Sequence, residues 1–223
     1  MKNVDLLVLL ENVKREYEEM GATFTPAYKE VITAIDTAKE EMRKEDNKGN
    51  GKVKLADAMN KVIKAAAGNK ALEGCFPCED YTVVCDGHMI IATKEKVNLK
   101  PIPDDCKPFN VKPFISEMLN SLDDSKMDSF VSPSIAEIKN AVKVGKAKMN
   151  IRKNERIPFE MVPDRLYANS DFIQLAIMAT GNQNYKNNTS KSCLVFANEE
   201  RTTLCMVLPI NASGKERVYR VVA

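Results

Sequence analysis

Apolar residues at alternating steps of four and three mark the start of the chain. Leu6, Leu10, Val13, Tyr17 and Met20 form one helical stripe, with Glu and Lys on the other side, and Gly21 ends the run. Thr25 then caps a second helix with Pro26 at its first position, where a missing N–H does no harm. Tyr28, Val31, Ile32, Ile35 and Met42 make its apolar face. The two stretches predict an antiparallel helical hairpin over residues 1–50, a packing or dimerisation element. Residues 44–52, KEDNKGNGK, read as a charged, Gly-containing linker and the domain boundary. A third amphipathic helix follows, carrying Leu55, Met59, Val62, Ile63 and Ala66, with Lys61 and Lys64 off that face and Gly68 at its end.

The period then changes to two. Tyr81, Val83 and Cys85 alternate with Thr82 and Val84, Asp86-Gly87 has the backbone shape of a two-residue hairpin turn, and Ile90 and Ile91 carry the apolar run beyond it. Short strands are predicted at 71–76, 97–99 and 109–111, and a helix at 113–122 with Phe114, Met118 and Leu122 on one face. Ser132-Pro133 and the Ser134-x-x-Glu137 box are two overlapping helix starts. In the helix they open, Ile135, Ile138 and Val142 face inward, while Glu137, Lys139, Asn140, Lys143 and Lys146 do not. A strand at 159–162 and a helix at 169–180 follow, the helix carrying Phe172, Leu175, Ala176 and Ala179 and closed by Gly181. Residues 182–192 are rich in Asn and Lys and read as a mobile loop. Two runs, Leu194-Val195-Phe196 and 203–208, flank residues 198–201 as a hairpin, and 218–222 suits a last short strand. Strands in hairpins interrupted by isolated helices make the class α+β, with a second domain at 51–223; a doubly wound sheet has no support.

Composition adds bounds. The chain has 223 residues, 44% hydrophobic and 29% charged, which is ample for a proper core and excludes a wholly disordered chain. A net charge of +2 means that any nucleic-acid surface must be a local patch. The first apolar run, residues 6–10, is far too short to span a membrane, and no signal peptide is visible, so the expectation is a cytoplasmic protein with no membrane partner. In that setting six cysteines are buried thiols or metal ligands before they are a disulfide framework.

Chemistry is sparse. His88 is the one histidine, so a Ser-His or Cys-His catalytic system would have to pass through it, and it sits beside a tight turn. No GxxxxGK[ST], GxGxxG or HExxH pattern occurs, and neither enzyme activity nor a cofactor is expected. Cys75-x2-Cys78 followed by Cys85-x2-His88 offers four zinc-type ligands in fourteen residues, the alternative being a small zinc-binding interaction protein. Against it stands the reading of Cys75 and Cys85 as small core side chains. The candidates for DNA contact are Lys61 and Lys64 on one helix and Lys139, Lys143 and Lys146 on another. Such lysines can meet phosphates without reading bases, but on charge alone a solvated helix face is the preferred reading.

Two separated segments carry a resemblance. Residues 81–92, YTVVCDGHMIIA, are similar to a strand pair written roughly TVATDGHRLA in the bacterial β sliding clamp, the replicative DNA polymerase processivity factor, and residues 109–119, FNVKPFISEML, resemble the strand and helix that come next. Residues 167–181 resemble the N-x-x-Y-L helix of the last clamp domain, and 194–196 with 204–210 its closing hairpin, which ends near LVMPV. The helix from Ser134 is also similar to phage-encoded clamp-like proteins. The resemblance touches about half of residues 52–212. It implies a non-catalytic phage- or prophage-type replication protein: amphipathic helices present lysines to duplex DNA, and strands form an outer scaffold that pairs between subunits. It also implies a DNA polymerase or other replication protein as partner, met at Met206, Leu208 and Pro209, and a homo-oligomer. This chain departs from the clamp pattern in length, with room for one full clamp domain or two trimmed ones, so a ring would need more subunits. It departs also at Met89, where clamps often have a basic residue, and in the helical hairpin of its first 50 residues.

Overall fold

The computed structural model describes residues 3–149, 157–162, 166–188, 193–210 and 218–221. They fall into two compact units: Met1–Val53 with Val97–Lys100, and Lys54–Lys96 with Pro101–Ala223.

In the first unit α1 (Asn3–Glu19) packs along α2 (Pro26–Gly49). The Thr25 hydroxyl caps α2, accepting from the Tyr28 N–H. Tyr17 meets Tyr28 edge to face, and Lys39 pairs with Glu11 at 2.8 Å. The stretch 44–49 is helix, not linker. Asn47, buried in the last turns of α2, exchanges two 2.8 Å bonds with the backbone of Asn98, donating to its C=O and accepting from its N–H. Those bonds hold residues 97–99 beside the helix, where a strand was expected. A buried polar side chain is tolerated where its hydrogen bonds are made, and here they anchor the last turns of α2 to a segment 51 residues on.

The second unit opens with α3 (Val53–Ala65). Its strands are β1 (Phe76–Cys78), β2 (Tyr81–Cys85), β3 (Met89–Thr93), β4 (Ser129–Val131), β7 (Asn184–Asn188), β8 (Cys193–Ala197) and β9 (Thr203–Val207), with β5 (Phe159–Val162) and β6 (Leu166–Ala168) apart from them. Its other helices are α4 (Lys112–Asp123), α5 (Ile135–Lys148) and α6 (Ser170–Thr180). One sheet runs β1-β2-β3-β9-β8-β7-β4 with antiparallel pairing at every step, and β5-β6 is a separate pair. The fold class is α+β, as the sequence pattern predicts.

The central strands are buried on both faces, so the alternation in residues 81–85 does not separate core from solvent. Val83, Cys85, Ile90, Val195, Leu204 and Met206 pack with Ile115 and Met118 of α4 in one cluster. On the opposite side of each strand Val84, Ile91, Leu194, Phe196 and Cys205 are also buried, and α6 packs there on β3, β8 and β9. The register pair Thr93 and Thr203 is buried on this side too, with the two hydroxyls joined at 2.9 Å. On α4 the inward face is Ile115, Met118 and Ser121, whereas Phe114 stays exposed. Residues 71–75 and 109–110 are not strands, and Tyr219 makes a single parallel bridge to Phe159 where a last strand was expected.

The stretch expected as a loop contains β7, paired on both sides. Tyr185 stacks between its cross-strand neighbours Phe130 and Phe196, with centroids 5.6 and 5.2 Å away. Asn188 is buried but donates to Glu117 at 2.7 Å and Ser121 at 2.8 Å, which is how a polar run tolerates the interior.

The Tyr185 hydroxyl is buried without a hydrogen-bond partner, and desolvation pushes its pKa up to about 12. An acid whose folded pKa lies above its unfolded value near 10 contributes stability that is whole below about pH 10 and lost as pH rises toward 12. The wild type therefore loses stability over that window relative to Tyr185→Phe, by roughly 1–3 kcal/mol. Denaturant unfolding of both proteins at pH 8 and pH 11 measures this, and parallel pH profiles would refute it. Packing is closest at Gly74, where an added Cβ would lie 2.3–2.4 Å from the backbone of Pro101 and Ile102. Gly74→Ala is expected to destabilise the second unit by about 1–3 kcal/mol in urea unfolding; an unchanged midpoint would contradict that contact.

Candidate nucleic-acid interface

The helix α5 begins at a complete capping box. The Ser134 hydroxyl accepts from the Glu137 N–H, and the Glu137 carboxylate accepts from the Ser134 N–H at 2.8 Å and hydroxyl at 2.7 Å. Those bonds, the hydroxyl's first, hold the Glu137 carboxyl below the usual carboxylate range. Ile138 and Ala141 turn into the core. Tyr219 lies against Gly145, where an added Cβ would come within 2.4 Å of its ring.

With that face fixed inward, Lys139, Lys143 and Lys146 fall at i, i+4 and i+7 on one exposed stripe about 10 Å long. Glu137 is the only acid in α5, and its carboxylate is held at the cap. Among the described residues no carboxylate pairs with Lys139, Lys143 or Lys146, nor with Lys61 or Lys64 on α3, whereas Lys94 and Lys112 are each held by an acid. Among the described residues the five candidate lysines are thus exposed cations without an ion pair, although Asp86 and Asp171 line the cleft that Lys61 and Lys146 share.

Lys146 and Lys61, 85 residues apart in sequence and on different helices, line the same cleft of about 650 Å³. The β2–β3 turn and the start of α6 form its other walls. Lys64, Lys139 and Lys143 lie outside this cleft. The turn differs from the expected form by one residue. The Asp86 N–H donates to the Met89 C=O, so Gly87 and His88 are the central pair, Gly87 with a φ of +89°. The Asp86 carboxylate accepts from the N–H groups of His88 and Met89, taking the place of a backbone acceptor. His88 is exposed, and its ring stacks on Phe172 with centroids 6.4 Å apart. Asn169 caps α6 through its bond from the Asp171 N–H. The periodicity of α6 marks Phe172 as core, yet it lies half-buried on the cleft wall, and its contact with His88 has no signal in the spacing.

The four proposed zinc ligands do not converge. Cys78 pairs across the sheet with Tyr81, and Cys85 lies four residues further along the same strand, about 13 Å away. Cys85 is buried in the core cluster, and burial pushes the thiols of both Cys78 and Cys85 up, against the thiolate that zinc requires. Cys75 bridges to Pro101, and His88 stands on Phe172. Among the described residues no group of three or more His, Cys, Asp or Glu side chains is placed to hold a metal ion. The proposed partner contacts are also divided. Met206 is 3% exposed beneath α4, whereas Leu208 is exposed, and its N–H donates to the His88 C=O beside the cleft. Pro209 is half-buried, and Ile210 lines the cleft.

No family model matches this chain. No curated protein matches it either. Among solved structures it is similar to a chain provisionally described as a DNA polymerase III beta subunit, from Eubacterium rectale, with 11% sequence identity and a TM-score of 0.44. The similarity covers 71% of this chain and 64% of that one, so more than a third of that chain has no counterpart here. Among the described residues no helix is long and apolar enough to cross a membrane.

Proposed function

We propose that this chain is a non-catalytic, clamp-like replication protein that holds duplex DNA by its phosphates, through the lysine stripe of α5 with Lys61 and Lys64 of α3. The observation that carries this reading is the stripe itself: Lys139, Lys143 and Lys146 share one exposed face without a carboxylate partner among the described residues, and the single acid of their helix is held at its cap. Unpaired lysines on a rigid helix keep their charge available to phosphates and carry no groups arranged to read base edges. The sequence resemblance of residues 81–92, 109–119 and 167–210 to the sliding clamp agrees with this use. Contacts of this kind are loose and indifferent to sequence, which suits sliding along a duplex. A polymerase or other replication protein would meet the chain near Leu208 and Pro209, beside the cleft.

Fluorescence anisotropy with a labelled duplex tests the reading. Affinity is expected to fall steeply with salt and to be the same for duplexes of unrelated sequence. The double substitution Lys139→Glu with Lys143→Glu is expected to weaken binding at least tenfold and to reduce the slope of log K against log salt by about 2, near 0.9 per lost phosphate contact. Unchanged affinity in that variant, with its helical content intact, would remove the proposed surface.

A further inference from the structure

The helical hairpin of the first unit cannot bury its own apolar surface. Among its described residues only Ile35 and Ala38 of α2 and Leu99 are buried apolar side chains. Meanwhile Val4, Val8 and Leu9 on α1 are more than half exposed, as are Met20 and Phe24 at the turn between the helices. Beside the α1–α2 seam runs an open groove of about 580 Å³, with Leu6, Leu10, Ala34 and Ala38 along it. Thr33 and Thr37 also line it, but their hydroxyls donate to the carbonyls of Lys29 and Thr33, so they need no outside acceptor. Two helices packed along one seam are half of a four-helix bundle, and their stability depends on a further apolar layer.

We propose that this groove is the interface between two copies of the chain, their hairpins docking as a two-fold four-helix bundle. Charge selects a second copy as the occupant. Residues 1–53 carry nine Lys and Arg against eleven Asp and Glu with the signs interspersed along the chain, so the unit has no large net charge to attract an oppositely charged partner or nucleic acid. Lys29 stands beside Glu30 at one end of the groove, and Glu41 stands at the other. A two-fold axis across α2 runs the second groove in the opposite direction and brings Glu41 of the second copy to the Lys29 end, so that Lys29 lies between two carboxylates. The size fits as well. A two-helix face about 25 Å long and roughly 20 Å wide approaches the ~800 Å² per partner of a standard interface once its corrugation is counted. This inference is independent of the DNA reading, since it uses none of Lys61, Lys64, Lys139, Lys143 and Lys146.

Sedimentation velocity of the full chain from about 1 to about 100 μM tests it, with circular dichroism as the check on folding. A reversible dimer is expected, and Leu6→Glu with Ala34→Glu, both on the groove wall, is expected to raise its dissociation constant at least tenfold at unchanged helical content. Lys29→Glu and Glu41→Lys should each weaken the dimer, and the two together should restore it. Because folding could itself suffer from charges in the groove, the Lys29 and Glu41 exchange, made at exposed positions, decides the matter independently. A monomer at every concentration, or a dimer indifferent to both sets of substitutions, would overturn the interface. Either result leaves DNA affinity, and so the reading of α5, to be judged by its own titration.

Discussion

The second unit depends on a sheet that is apolar on both faces. Val83, Cys85, Ile90 and Leu204 point one way along their strands, Val84, Ile91, Leu194 and Cys205 the other, and all are buried. Each such side chain gains about 1.5–3 kcal/mol from leaving water, so neither face can stay open. That requirement fixes the helices. α4 covers one face with Ile115 and Met118, α6 covers the other, and α5 packs on α6. In α5 only Ile138 and Ala141 are buried, with Gly145 under Tyr219, which leaves the remaining arc of the helix to charge. The lysine stripe is thus a consequence of where the core ends.

The elements legible in the sequence are those whose signals are local. Thr25 before Pro26, the Ser134–Glu137 box, Asn169 and Gly181 each act within one turn of helix, and each sits where its spacing predicts. The hairpins β2–β3 and β8–β9 are equally local. What escaped depends on partners distant in sequence. Residues 44–49 are helix, and Asn47 anchors them to Asn98, 51 residues on. β7 reads as a polar loop because its burial comes from Phe130 and Phe196 on neighbouring strands and from Glu117 and Ser121 on α4. The turn at 86–89 moved by one residue because the Asp86 carboxylate, and not its carbonyl, accepts from Met89.

The same division applies to the candidate interface. That Lys139 and Lys143 share a face follows from their spacing. That no carboxylate among the described residues pairs with them, and that Lys61 reaches the cleft of Lys146, are properties of packing that no spacing encodes. The zinc reading failed for a related reason. Two C-x2 pairs are close in sequence, but a strand carries its two ends apart by over 3 Å per residue, and β2 lies between Cys78 and Cys85. Sequence proximity becomes spatial convergence in a loop or knuckle, not along an extended strand.

The two units also show how different an apolar stripe can be in consequence. In α6 the stripe meets a sheet, and Ile173, Ala176 and Ile177 are buried within the unit. In α1 a stripe of comparable regularity packs along α2, and a cylinder touching one cylinder can cover little more than a narrow line of its surface. Val4, Val8 and Leu9, which lie off that stripe, stay exposed at a cost that grows with their area. The interspersed charges of residues 1–53 suit the proposed docking of a second copy better than a polyanion, whereas the lysines of α5, without a carboxylate partner among the described residues, suit the reverse. The association proposed for the first unit and the phosphate contact proposed for the second would place opposite demands on a helix surface, and the two proposals fall on separate units.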